Sequence, residues 1–149
     1  MSLEERVQKD LVQAMKAKDK DRLRALRAIK SEILLAKTDG SGEALYETKE
    51  LKILQKMVKS RQESLDIYEK EGRNDLADKE RSEIEHIQAY LPEQMNEDEI
   101  AARVDAIVDK VNATSMTDMG KVMGIAQQEM GGKADGKTIA TLVKARLSK

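Results

Sequence analysis

Apolar residues recur along this chain at intervals of three and four, and no stretch shows the period-two alternation of a strand. Such spacing lines up one apolar stripe per α-helix. Leu3, Val7, Leu11 and Met15 mark the first stripe, behind Ser2-Leu3-Glu4-Glu5, which has the form of a capping box. Asp19 or Asp21 restarts a helix with Leu23, Leu26, Ile29 and Ile33 on one face. Arg22, Arg24, Arg27 and Lys30 are assigned to the opposite face. Thr38-Asp39-Gly40-Ser41-Gly42 reads as a loop. A long helix follows, from about Glu43 to Glu71, with Leu51, Leu54, Val58, Leu65 and Tyr68 in a 3–4 pattern broken only by Arg61. Gly72-Arg73-Asn74-Asp75 ends it and caps a fourth helix, whose stripe is Leu76, Ile84, Ile87 and Leu91.

Pro92 then interrupts the pattern, because proline disfavours helical geometry at the residue before it. Asn96-Glu97-Asp98-Glu99 restarts a helix: Asn96 is the cap, Glu99 can reach back to it, and three acids face the positive end of the dipole. Ile100, Val104, Ile107 and Val111 continue it, and Ser115 or Thr117 caps the next. Met119, Val122, Met123, Ala126 and Met130 form one further stripe, and Ile139, Leu142, Val143 and Leu147 form the last. Between those two lies Gly131-Gly132-Lys133-Ala134-Asp135-Gly136, where a glycine can adopt the left-handed conformation and Asp135 can cap the final helix. The expected fold is all-α. An N-terminal bundle of about four helices (1–91), with a long antiparallel pair at its centre, meets a short linker (92–95) and a three-helix tail (96–149).

Composition supports helices. Aromatic residues are only 2% of the chain, with neither Phe nor Trp, so Leu, Ile, Val, Met and Ala must fill the interior. The absence of cysteine excludes a disulfide framework and a thiolate nucleophile, and suits a reducing compartment. No apolar run reaches transmembrane length and no signal-peptide pattern is seen, so a cytoplasmic protein without membrane contact is expected. A formal net charge of −1 hides an uneven distribution. Lys16 to Lys30 holds seven bases against two acids, Gln62 to Glu99 thirteen acids against four bases, and the chain from Asp118 onward six bases against three acids. Local fields, not the total, decide where an anion docks.

Catalytic chemistry is hard to find. His86 is the only histidine and has no nucleophile at sensible spacing. Glu80, Glu83 and Glu85 alternate with Lys79 and Arg81 as solvated faces do, and the single Glu83/His86 pair falls short of a di-metal set. Gly120-Lys121 and Gly136-Lys137 lack the strand that a phosphate-binding loop requires. No catalytic residue, metal or cofactor is assigned. The methionines Met116, Met119, Met123 and Met130 are read chiefly as core.

The tail is also where the chain becomes recognisable. Met119-Gly120-Lys121-Val122-Met123, then Gly131-x-x-x-Asp135-Gly136-Lys137 and a closing Leu142-Val143-Lys144, resembles the GatB/YqeY tail domain. With Tyr90-Leu91-Pro92-Glu93-Gln94-Met95 upstream, the whole chain resembles a stand-alone YqeY family protein. In the B subunit of the glutamine-dependent tRNA amidotransferase such a tail helps recognise the tRNA body, while the carbon–nitrogen ligase chemistry sits in another domain. The resemblance therefore implies an accessory, non-catalytic tRNA-binding protein. Lys121, Lys133, Lys137 and Lys144 match the tail's basic positions, with Arg146 added from the same helix, and Gly131, Gly132, Asp135 and Gly136 form the hinge. Arg22, Arg24, Arg27 and Lys30 are a secondary basic face. With about four phosphate contacts, binding would be weak and salt-sensitive. The alternative is a protein-interaction module that docks onto an aminoacyl-tRNA synthetase, an amidotransferase component or another translation partner. A helix-turn-helix DNA reader is a third reading, for which Lys137, Lys144 and Arg146 are few.

Overall fold

The computed structural model of the chain describes residues 2–39 and 47–148. Positions 40–42 of the expected glycine loop and 43–46 of the third helix, including Tyr46, lie outside them. The order is α1 (Leu3–Ala17), α2 (Lys20–Lys37), α3 (Glu47–Lys70), α4 (Asn74–Gln88), α5 (Glu97–Val111), a 3-10 turn (Met116–Asp118), α6 (Met119–Met130) and α7 (Gly136–Leu147). The protein is all-α: no strand occurs among the described residues, and the only bridge is an isolated one between Gly131 and Ala134. The chain divides into two compact units, Met1–Leu91 and Pro92–Lys149.

In the first unit, the Ser2 hydroxyl accepts from the Glu5 N–H at 3.1 Å while the Glu5 carboxylate accepts from the Ser2 N–H at 3.2 Å. This reciprocal cap satisfies two of the donors that a helix start leaves unpaired. α1 buries Leu3, Val7, Leu11 and Ala14, whereas Met15 is 54% exposed, contrary to the expected stripe. The reason is rotational: each i+4 step overshoots a full turn by about 40°, so three steps carry residue 15 off the face to which residue 14 returns. Lys18 closes α1 in the left-handed conformation, φ 58°, and Asp19 caps α2 by accepting from the Arg22 N–H at 3.2 Å.

α2 packs against α1, α3 and α4, so it, and not the α3–α4 hairpin, is the centre of the bundle. Ala25, Leu26, Ile29 and Ile33 are buried along it. Arg22 belongs to the same row, since 22, 26, 29 and 33 repeat at the spacing of one helix face. It is half-buried and pairs with Asp10 at 3.7 Å. Its assignment to the opposite, solvated face is thereby corrected. Asp10 also accepts from the Tyr90 hydroxyl, and the Arg6 guanidinium lies 5.2 Å from the Tyr90 ring centroid. Burial foremost, and then the Asp10 contact, push the Tyr90 hydroxyl well above the usual phenol range.

Gly72, at φ +70°, turns α3 into α4. The hairpin holds a small cluster of its own, Leu65, Ala77 and Ile84, with Val58 and Tyr68 against it. Arg61, the one break in the α3 stripe, is answered from α4. Its Nε donates to Glu83 Oε2 at 3.0 Å, and Nη1 donates to the Met57 carbonyl at 3.4 Å. Glu83 is only 7% exposed, which corrects its reading as a solvated face: 76, 80, 83 and 87 form one row of α4, and that row faces α3. Glu80 shares the row, and its Oε2 is buried without a hydrogen-bond partner.

Burial first, and then the Glu83 carboxylate, raise the Glu80 pKa against the smaller opposing pull of Arg61 and Lys79. For an acid raised in the folded state, the stabilising contribution is complete below its unfolded pKa and is lost as pH rises through the folded value. Glu80→Gln is therefore expected to raise the thermal midpoint at neutral pH and leave it unchanged near about pH 3. Melting curves across that range are the check; equal midpoints at neutral pH would refute the burial argument.

The second unit is built on one core. Ile100, Val104, Ile107 and Val108 of α5 meet Val122, Ala126 and Met130 of α6 and Ile139, Val143 and Leu147 of α7, with Ala134 between the last two helices. Met119 and Met123 pack against this core while Met116 remains exposed. Asn96 caps α5 in a second reciprocal box with Glu99, at 2.8 and 3.4 Å. Asn112 closes it at φ 54°. Before α6, the Asp118 carboxylate accepts from the N–H groups of Thr114 and Ser115, at 2.9 and 3.3 Å, and these bonds hold it below the ordinary carboxylate range.

Candidate nucleic-acid interface

The turn from α6 to α7 carries Lys133 and leads into Lys137, both exposed. Gly131 ends α6 in extended geometry, φ −57°, and Gly132 is the residue that takes the left-handed conformation, φ +82°. Gly131 has a different constraint: a Cβ there would lie 2.5 Å from the Gln127 carbonyl oxygen, whose bond with the Gly131 N–H ends the helix at 2.9 Å. The N–H groups of Lys133 and Ala134 return to the Met130 carbonyl, at 2.9 and 3.0 Å. These bonds wind the six residues into a tight turn with Ala134 buried inside it and Lys133 exposed on it.

Residues before α5, expected to be a linker, secure this turn. Gln94 Nε2 donates to the Gly132 carbonyl at 2.8 Å and to the Pro92 carbonyl at 2.8 Å. The Met95 N–H donates to the Lys133 carbonyl at 2.8 Å. The conformation of the turn, and so the place of the Lys133 side chain, depends on a segment 38 residues earlier. Reading the sequence missed Gln94 as a site residue. The only signal for it was its place in Leu91-Pro92-Glu93-Gln94-Met95.

Asp135 occupies the cap position of α7, but its carboxylate accepts from the Thr138 hydroxyl at 3.1 Å and makes no side-chain capping bond. The Ile139 N–H bonds the Asp135 carbonyl at 3.0 Å. Gly136 opens the helix beside the Gln127 side chain. The first N–H groups of α7 point out of its start, at the positive end of its dipole. Lys133 and Lys137 bracket that start, two residues before and two after Asp135, and both are exposed.

The remaining cations separate into two kinds. Lys137 and Lys144, seven residues apart, fall within about 20° of each other around the α7 axis and about 10 Å along it. Arg146, two residues past Lys144, is rotated by about 200° onto another side of α7. There its Nε donates to Asp105 at 3.1 Å and its Nη2 to Asp109 at 3.4 Å, both on α5. Arg146 therefore stabilises the α5–α7 contact and is removed from the candidate surface. Lys121 lies in the first turn of α6, at the other end of that helix from the glycine turn. Among the described residues, Lys121, Lys133, Lys137 and Lys144 make no ion pair, and α7 contains no acid.

The secondary basic face divides likewise. Arg22 is bound to Asp10, and Lys30 Nζ donates to Gln8 Oε1 at 3.0 Å. Arg24 has only an exposed pairing with Asp21 at 3.6 Å, and Arg27 has none among the described residues. His86 is half-buried, and no group of three or more His, Asp or Glu among the described residues could hold a metal ion. Among the described residues, no helix is long and apolar enough to cross a membrane.

Comparison with known proteins gives the tail and the bundle a common frame. A protein of Eremothecium gossypii named altered inheritance of mitochondria protein 41, mitochondrial, is 34% identical over 110 residues, which cover 72% of this chain. The chain spans only 60% of that protein's own length. The protein of the same name from Pyrenophora tritici-repentis is 31% identical over 135 residues, covering 87% of this chain and 71% of the relative. That of Lachancea thermotolerans is 29% identical over 143 residues, covering 95% and 76%. The family described as Yqey-like protein matches residues 4–147, nearly end to end. The resemblance read from Met119–Lys144 and Tyr90–Met95 thus extends through the helical bundle as well, and the chain belongs to the YqeY family.

Proposed function

We propose that this protein is a non-catalytic accessory that binds tRNA weakly through its tail, with Lys133 and Lys137 at the start of α7 and Lys144 and Lys121 extending the contact. One observation carries the reading: Lys133, Lys137 and Lys144 make no ion pair among the described residues, and Lys121 feels only the field of Asp118, while the neighbouring Arg146 is held by two acids. Surface ammonium groups without a carboxylate are available to phosphates, and the N-terminal end of a twelve-residue helix adds backbone donors of the same sign. The likeness to the tail of the amidotransferase B subunit supplies the class of ligand. The expected cytoplasmic location and the mitochondrial one in the relatives' names are both compartments that contain tRNA, so the reading holds in either.

Fluorescence titration with total tRNA tests it. About four phosphate contacts imply a fall in affinity of roughly a hundredfold as salt rises from about 50 to about 200 mM. The Lys133→Glu/Lys137→Glu variant should lose at least about tenfold in affinity and show a shallower salt dependence. A double variant that binds as tightly as the parent, with the same salt dependence, would refute this site. Docking onto a synthetase or amidotransferase component is the second reading, favoured by the exposed Met116 beside the tail core and the exposed Ile67 on α3. It requires a defined partner that survives nuclease treatment and is retained by the lysine variant.

A further inference from the structure

The outer side of α2 carries a row of residues that neither the bundle nor the tail reading explains. Positions 20, 24, 27, 31 and 34 repeat at the spacing of one helix face, over about 21 Å. They are Lys20, Arg24, Arg27, Ser31 and Leu34, with Leu35 alongside, and all are exposed. The first half is cationic: Lys20 and Arg27 have no ion pair among the described residues, and Arg24 has only its exposed contact with Asp21. The second half is apolar. Leu34 and Leu35 are 61% and 63% exposed, the most open large hydrophobic residues among those described. No acid interrupts the row.

We infer that this face of α2 docks an amphipathic helix of a partner protein, with carboxylates against Lys20, Arg24 and Arg27 and large aliphatic side chains against Leu34 and Leu35. Charge complementarity selects the acidic half of the occupant. The positive N-terminal end of α2 reinforces that choice, since carboxylates are favoured there. The leucines select a protein over RNA, because phosphates reward the cations but leave two adjacent leucines in water. The flanks select a narrow partner over an anionic lipid surface: Asp21 and Glu32 are exposed along one edge of the row, and a plane of negative headgroups would be pressed against them. A single helix covers the row and avoids that edge, with its anchors at i, i+3, i+4 and i+7. Arg22 and Lys30, committed to Asp10 and Gln8, position α1 against α2 and take no part.

The row includes none of the tail lysines, so its failure leaves the RNA reading untouched and the reverse also holds. A photo-activatable residue at Ser31, between the two halves of the row, is introduced into the full chain in cells. The cross-linked species is then identified by mass spectrometry. The expected product is a peptide from another protein with Asp or Glu at helical spacing beside Leu, Ile, Val or Met. The adduct should be lost in Arg24→Glu/Arg27→Glu and in Leu34→Ser/Leu35→Ser, and weakened in the milder Arg24→Gln/Arg27→Gln, with the melting temperature of each variant unchanged. Adducts to RNA, to phospholipid or to a second copy of this chain would overturn the inference. So would the absence of any adduct, or an adduct that persists in the leucine variant.

Discussion

Replacing Arg61 by leucine is expected to destabilise the first unit by about 3 kcal/mol, the low end of the cost of breaking a buried ion pair. The pair sits between the two helices of the α3–α4 hairpin, with the Glu83 side chain 9% exposed and that of Arg61 21%. Removing the guanidinium leaves an unpaired, buried carboxylate against α3, next in sequence to the buried Ile84 and close to a second carboxylate, Glu80. Leucine replaces the lost volume but offers no hydrogen bond, so the desolvation cost of Glu83 is unopposed. The double variant Arg61→Leu/Glu83→Leu should recover most of the loss, because two apolar residues pack where two charges had to be paired. Urea unfolding of the wild type, both single variants and the double variant measures this as a cycle. A single variant within about 0.5 kcal/mol of wild type, or a double variant no better than Arg61→Leu, would mean that the pair contributes little.

Ile139→Ala is expected to cost the tail unit about 2–5 kcal/mol, the range for emptying a buried aliphatic site. Ile139 is fully buried in the first turns of α7, against a core supplied by α5 and α6. A unit this short has little stability in reserve, so a loss of that size should unfold much of it. Amide hydrogen exchange should lose protection across α5, α6 and α7. The first unit has its own buried clusters, and its amides should keep their protection. Because the glycine turn and Lys137 are held by the same core, the tRNA binding proposed above should weaken along with protection. Thr141→Ala, at an exposed position on the same helix, is the control and should change stability by less than about 0.5 kcal/mol. Retained protection in α7 of Ile139→Ala would refute the argument.

The helices and several of their ends could be read directly. Both reciprocal caps, Ser2 with Glu5 and Asn96 with Glu99, join residues three positions apart and are present as expected. The stripes Ile100–Val104–Ile107 and Ile139–Val143–Leu147 are buried as their spacing requires. The errors cluster where the answer lay on another helix. Arg61 looked like an interruption until Glu83, 22 positions away, supplied its partner. Arg146 looked like a free cation of the tail until Asp105, 41 positions earlier, was found against it. Met15 was misplaced by a count of positions that ignored how far each i+4 step rotates around the axis, whereas Arg22, one i+4 step before Leu26, was left out of a row to which it belongs.

Helix formation, its polarity and its caps are set by neighbours within about one turn, so the order of residues alone was enough to establish an all-helical chain with a break at Pro92. Which charges remain available to a ligand is a different kind of property. It depends on which helix side meets which, and side-chain charges are cancelled or spared by residues dozens of positions distant. The packing of α5 against α7 took Arg146 and spared Lys137 and Lys144. The Gln94 bond to Gly132 shaped the turn that holds Lys133 outward. Those assignments follow from the register of packed surfaces, which short-range periodicity does not encode.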